Sequence, residues 1–89
     1  MKTVHLTILN SLGLHARPSA KIANLANRFH ADIQLNSNNK TIDAKSIMQV
    51  MMLAARQGTG IAVTANGPDE DDAIAALSEL INNGFDEKE

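Results

Sequence analysis

Near the start of the chain Val4, Leu6 and Ile8 alternate with Thr3, His5 and Thr7, the period-two pattern of a strand with one buried face. The alternation breaks over residues 10–13. From Ala16 onward the apolar residues Ile22, Leu25, Ala26 and Phe29 recur at three- and four-residue spacing, which predicts an amphipathic helix ending between Arg28 and His30. Ile33 and Leu35 open a second strand. Ser37, Asn38 and Asn39 supply a turn, because asparagine tolerates left-handed backbone, and Thr41 and Ile42 continue as the hairpin partner.

Ser46 stands before the apolar run Ile47, Met48, Val50, Met51, Met52 and Leu53, and a serine hydroxyl is a favoured acceptor for an orphan N–H at a helix start. The spacing predicts a short second helix, stopped by Gly58 and Gly60. Ile61, Val63 and Ala65 alternate with Ala62 and Thr64 as a fourth strand, and Gly67-Pro68 turns the chain. The last helix starts with the acids Asp69 to Asp72, which complement its positive dipole end. It buries Ala73, Ile74, Leu77, Leu80 and Ile81 and stops at Gly84, with Phe85 behind as the hydrophobic residue past a glycine cap. The order βαββαβα is an α+β pattern that predicts one sheet with all its helices on one face and water on the other. At 89 residues, without repeat or linker, the chain reads as a single domain over residues 1–89.

Aromatic residues make up 2% of the chain, namely Phe29 and Phe85, so Ile, Leu, Val, Met and Ala must fill the core. The same scarcity, with a net charge of −2, argues against a nucleic-acid-binding role, which uses exposed aromatic platforms and a basic field. Cysteine is absent, which removes disulfides, thiolate metal sites and cysteine nucleophiles together. The opening MKTVHLTIL lacks the continuous apolar stretch of a signal peptide or membrane span, so a cytoplasmic protein without membrane insertion is expected. The net charge conceals a division. Residues 1–56 hold seven cations against Asp32 and Asp43, a formal +5, whereas residues 57–89 hold Lys88 against eight carboxylates, a formal −7. A basic half favours an acidic partner or an anionic substrate.

The candidate chemistry lies in that basic half, in the segment GLHARPS at residues 13–19. If His15 caps the first helix, the N–H groups of Ala16 and Arg17 lie close to anything bonded to its ring, and Pro18 occupies the first turn, where its missing N–H costs nothing. A dianionic phosphoryl group there would be stabilised by the positive helix end and by the paired donors of the Arg17 guanidinium. A neutral imidazole carries the lone pair a nucleophile needs. An isolated histidine is more often a solvated loop residue; the grouping of Gly13, His15, Arg17 and Pro18 at a helix start weighs against that here. His5 on the outer side of a strand and His30 at a helix end read as structural. Three histidines so far apart give no metal-ligand spacing, and the acids at 69–72 read as a helix start.

GLHARPS closely resembles the phosphocarrier signature of the HPr family, the histidine-containing carriers of the bacterial phosphoenolpyruvate-dependent phosphotransferase system. The resemblance extends along the chain: KSIMQVM around Ser46 is similar to the family's second signature, QGTGIAV to its last strand, and GPDEDDAIAALSELI to its C-terminal helix. It implies a four-stranded antiparallel sheet covered by three helices. It also implies that enzyme I, charged from phosphoenolpyruvate, passes phosphate to Nδ1 of His15, that Arg17 contacts that phosphate, and that EIIA acceptor proteins take it onward, with no cofactor. Such a protein is a substrate of phosphotransferases and not a catalyst. Ser46 matches a serine that an HPr kinase/phosphorylase modifies in some bacteria, although for an isolated serine before a helix the N-cap role is by a wide margin the commoner explanation.

Three departures from the family pattern stand out: Ser19 in place of the usual alanine, Gln49 in place of a common glycine, and the acidic tail Asp86 to Glu89. The tail is similar to that of a nitrogen-regulatory carrier branch, NPr-like, whereas KSIMQVM leans toward the sugar branch. A purely regulatory module acting through Ser46 is the other alternative, and the presence of His15 with Arg17 speaks against it. Met48, Met51 and Met52 cannot all point inward from one short helix, so at least one is expected to face water. Ile47, Met48 and Met51 with Ala16, Arg17 and Ala20 are expected to form an apolar partner surface inside a basic rim, of the small and weak kind a monomeric carrier needs to release each partner.

Overall fold

The structure, a computed structural model, describes residues 1–86. Its elements follow the predicted order: β1 (Lys2–Thr7), α1 (Ala16–Ala26), β2 (Asp32–Ser37), β3 (Lys40–Asp43), α2 (Ile47–Met52), β4 (Gly60–Asn66) and α3 (Glu70–Asn82), followed by a short 3₁₀ turn at Gly84–Asp86. The four strands form one antiparallel sheet in the order β1-β4-β2-β3. Thus β4, the last strand in sequence, runs through the interior of the sheet beside β1.

The register aligns the apolar alternation of every strand on one face. Val4 pairs with Val63, Val63 with Leu35, and Leu35 with Ile42, a single row across the sheet. A slip of one residue would send the whole row to the wrong face. Onto this face pack Ile22 and Ala26 of α1, Val50 of α2, and Ala73, Leu77 and Ile81 of α3, all buried. On the opposite face Thr3 and Thr64 are linked at 2.9 Å, and His5 is exposed. Asn38 and Asn39 both have positive φ (51° and 66°), as the two-residue hairpin turn that matches strand twist requires.

Two expectations need correction and a third is extended. First, α1 ends at Ala26 and not near Arg28 to His30. Its buried stripe is Pro18, Ser19, Ile22, Ala23 and Ala26, with Leu25 and Phe29 only half-buried. Second, Gly58 and Gly60 do not stop α2. The helix ends at Met52 with Leu53 as its C-cap, and Ala54 takes the left-handed conformation (φ 54°) that usually falls to glycine. The reason lies beyond the helix: the carbonyl of the buried Ala55 must meet the N–H of Leu14 at 2.9 Å. Third, the acids at 69–72 are more than a helix start. Asp69 makes no side-chain cap to its own helix; its two carboxylate oxygens accept the backbone N–H groups of His30 and Ala31, each at 2.8 Å. Glu70 accepts from the Gly67 N–H at 3.2 Å and pairs with the terminal amine at 3.1 Å, and Asp71 pairs with Lys2 at 3.0 Å. The Asp69 carboxyl is accordingly held below the usual carboxylate range, chiefly by the His30 N–H, and that of Glu70 by the Gly67 N–H.

Gly84 is left-handed (φ 61°) and Phe85 fully buried, as expected of a glycine-capped helix. Phe85 and Asp86 are left-handed as well (60° and 57°), and the Lys21 ammonium on α1 donates to the Phe85 carbonyl. The rest of the acidic tail, residues 87–89, lies outside the described residues. Among the described residues no helix is long and apolar enough to cross a membrane.

Candidate functional site

The segment before α1 is fixed almost group by group. Leu14 is buried in the core while its neighbour His15 is half-buried. The Gly13 N–H donates to the Asn10 carbonyl at 3.1 Å, and the Gly13 carbonyl accepts both from Asn10 Nδ2 at 2.7 Å and from the His15 N–H at 3.0 Å. On the other side the loop after α2 holds it: besides the Leu14–Ala55 bond, Gln57 Nε2 donates to the Leu9 carbonyl at 3.0 Å. Contact here is close enough that a Cβ on Gly13 (φ 65°) would collide with the Ala55 carbonyl oxygen and lie 2.9 Å from Arg56 Cα.

His15 is the N-cap of α1, with extended backbone (φ −78°, ψ −171°) and no side-chain capping hydrogen bond. The first helical bond closes from the Ser19 N–H to the His15 carbonyl at 3.1 Å. The N–H groups of Ala16 and Arg17 therefore precede the hydrogen-bonded part of the helix, and Pro18, buried beneath them, has none to offer. Arg17 and Ala16 are exposed. The arrangement is a half-buried histidine at the positive end of a helix, followed in the chain by two residues whose N–H groups precede the helical ladder, the second of them an exposed arginine. A dianion fits there by the ordinary physics of helix starts.

Residues to which the sequence patterns gave no structural role do much of the holding. Ser19 is fully buried and its Oγ donates to the Leu14 carbonyl at 3.2 Å, across the start of the helix. Asn10 is 2% exposed. A polar residue inside an otherwise apolar helical stripe, or just past a strand, was the available signal for each.

Ser46 is the N-cap of α2, its Oγ accepting from the Gln49 N–H at 3.3 Å. Gln49 in turn accepts the Asp43 N–H at 2.9 Å through Oε1, a bond for which a glycine has no side chain. Asn27 at the end of α1 donates to the Lys45 carbonyl at 3.0 Å, while Leu14 before α1 meets Ala55 after α2. The two helices hence run antiparallel. His15 lies toward the end of α2 that carries Met51 and Met52, and Ser46 lies toward the far end of α1. Ile47 (40%), Met48 (71%), Met51 (40%) and Met52 (66%) are all exposed, so every methionine of α2 faces water, not merely one. Leu12, in the His15 loop, is exposed too; no periodic pattern covers it. Ala20 is half-buried. Of the expected basic rim, Lys45 is spent on the Phe29 carbonyl at 2.8 Å and Lys21 on that of Phe85, whereas Arg17, Arg28 and Arg56 are exposed.

A concavity of about 430 Å³ lies elsewhere, on the helix-free face, lined by His5, Thr7, Asn36 and Ala62 among others. Among the described residues no group of three or more His, Asp or Glu side chains is placed to hold a metal ion.

An antiparallel sheet with three helices on one face, and a histidine capping the first of them on an outward surface, defines an open-faced sandwich with a candidate phosphoacceptor. The model of the PTS-HPr family, described as the HPr component phosphorylation site, matches residues 2–83. The phosphocarrier protein HPr of Pseudomonas aeruginosa is 48% identical over the full length of both chains. The phosphocarrier protein NPr of Escherichia coli is 41% identical, covering 97% of this chain and 94% of its own. The crystal structure of HPr from Thermoanaerobacter tengcongensis superposes with a TM-score of 0.95 at 43% identity, covering all of both chains. The chain belongs to the HPr family of phosphocarriers of the phosphotransferase system.

Proposed function

We propose that His15 accepts a phosphoryl group from phospho-enzyme I, itself charged by phosphoenolpyruvate, and passes it to EIIA domains of the sugar phosphotransferase system. A ring nitrogen of His15, Nδ1 by family analogy, attacks phosphorus as the bond to the donor breaks. The same exchange in reverse order of roles delivers the group to the acceptor. The observation that carries this reading is the placement of His15 as N-cap of α1 beside the Ala16 and Arg17 N–H groups. These donors and the Arg17 guanidinium stabilise the dianion in transit without trapping it, because the site is open to water.

The 89 residues act as one domain, a cytoplasmic monomer that is consumed and regenerated by phosphotransferases and needs no cofactor. Both partners use one face: Ala16, Arg17 and Ala20 on α1 with Ile47, Met48 and Met51 on α2. An interface below about 1,200 Å² suits rapid exchange. Ser46, on the same helix pair, is a site for control by an HPr kinase/phosphorylase. Incubation with phosphoenolpyruvate and enzyme I is expected to give an acid-labile, single-phosphate mass increase that His15→Ala abolishes. No mass increase, or its survival in His15→Ala, overturns the reading.

The nitrogen-regulatory branch is the second reading, supported by the 41% identity to an NPr protein. Parallel charging by enzyme I of each branch separates the two, and the sugar reading expects the faster rate from the sugar enzyme.

A further inference from the structure

The docking helix places its thioethers where a switch would need them. Cysteine is absent, so methionine supplies all the sulfur of the chain. Three of the four methionines sit together on α2 with 71%, 40% and 66% of their surface exposed. None of the three belongs to the core, which α2 reaches through Val50 and the following Leu53. The helix is capped and braced by Ser46 and Gln49. Changing the polarity of these side chains therefore leaves the fold standing while altering the exposed surface of α2, whose Met51–Met52 end lies toward His15.

The geometry points to Met48, Met51 and Met52 as a reversible oxidation site that controls docking of phosphotransfer partners; this rests on the docking face proposed above. A two-electron oxidant of the peroxide class delivers one oxygen atom to each thioether. The sulfur is oxidised to a sulfoxide, the O–O bond breaks, and hydrogen peroxide is reduced to water. A flexible apolar side chain becomes a polar one with a strong acceptor oxygen. In a dry contact that oxygen is stripped of water without a matching donor. Met51 and Met52 lie toward the His15 end of the helix pair, so the penalty falls where the donor must approach. Thiol-dependent methionine sulfoxide reductases reverse the change, returning the oxygen as water.

The test uses the full chain, treated with hydrogen peroxide and then freed of it by catalase. Peptide mass spectrometry is expected to find Met48 and Met52 oxidised ahead of the less exposed Met51. With sulfoxides at all three positions, the initial rate of charging by enzyme I is expected to fall about tenfold or more. The fall should come mainly through a raised half-saturation concentration, with an unchanged far-ultraviolet circular dichroism spectrum, and reductase treatment should restore it. The variant M48L/M51L/M52L, compared with its own untreated form, is expected to show no change on peroxide treatment even though Met1 is oxidised. The proposal is overturned if the three sulfoxides leave the wild-type rate intact, if the leucine variant loses as much as wild type, or if peroxide spares these methionines. An untreated wild type that takes no phosphate defeats the carrier reading itself, and the control of transfer falls with it.

Discussion

Gly13 shows how a single position can be specified twice over. Its positive φ excludes side chains on conformational grounds, and the Ala55 carbonyl excludes them on steric ones. Gly13→Ala is expected to lower stability by about 2–4 kcal/mol, with the clash added to the left-handed strain, and to slow charging because the His15 loop shifts. Ser19→Ala deletes one hydrogen bond to the Leu14 carbonyl and little volume, so a loss of about 1 kcal/mol is expected. Urea midpoints of both variants check the pair; equal losses would contradict the geometry. The glycine was legible beside the histidine in sequence. Asn10 and Ser19 were not, because their partners are backbone carbonyls of the folded loop, and no spacing rule locates a carbonyl.

Among the elements, α3 follows its sequence pattern but carries a contact that the pattern does not reveal. A run of four acids before a helix is ordinary dipole complementation, yet Asp69 spends both oxygens on a loop nearly forty positions earlier in the chain. Its carboxyl is depressed by that bonding. Stability from such a group is complete above its unfolded value, about pH 4, and is lost as pH falls through the lower folded value. Glu70 acts with the same sign. Asp69→Asn is expected to reduce stability at pH 7 and to show a shallower decline between about pH 5 and pH 2 than wild type; denaturant midpoints across that range decide it, and parallel curves would refute the assignment. By contrast the exposed Lys2–Asp71 pair should contribute little. Element type and order were readable because period and caps are local signals. Helix ends were less so: α2 stops at Met52 and Ala54 turns left-handed because the next residue is committed to Leu14, a tertiary demand met before the glycines that follow.

For the molecule as a whole, the sequence division of charge places His15 and Ser46 in the basic half, but at opposite ends of an antiparallel helix pair. A negative charge at Ser46 is thus expected to act on the proposed docking face and on the approach of an acidic partner, not on the ring directly. Ser46→Asp is expected to slow charging by enzyme I several-fold, through a raised half-saturation concentration, with a smaller effect at high salt. Equal rates for wild type and variant would count against it. Sheet composition was legible from four alternating segments, and the β2–β3 hairpin from its asparagine turn, but the full strand order was not, since alternation reveals which face is buried and not which strand is the neighbour. That order has a consequence in time. The interior strand β4 is the last strand to leave the ribosome, and β1 pairs with it along its whole length. The loop that clamps residues 9–14 immediately precedes β4. A nascent chain ending before Gly60 has no partner for its first strand and no finished support for His15. Such distant pairing is slow to close, so the support around His15 is expected to be among the last features to form, and an unfinished chain is expected to take up no phosphate on the proposed site.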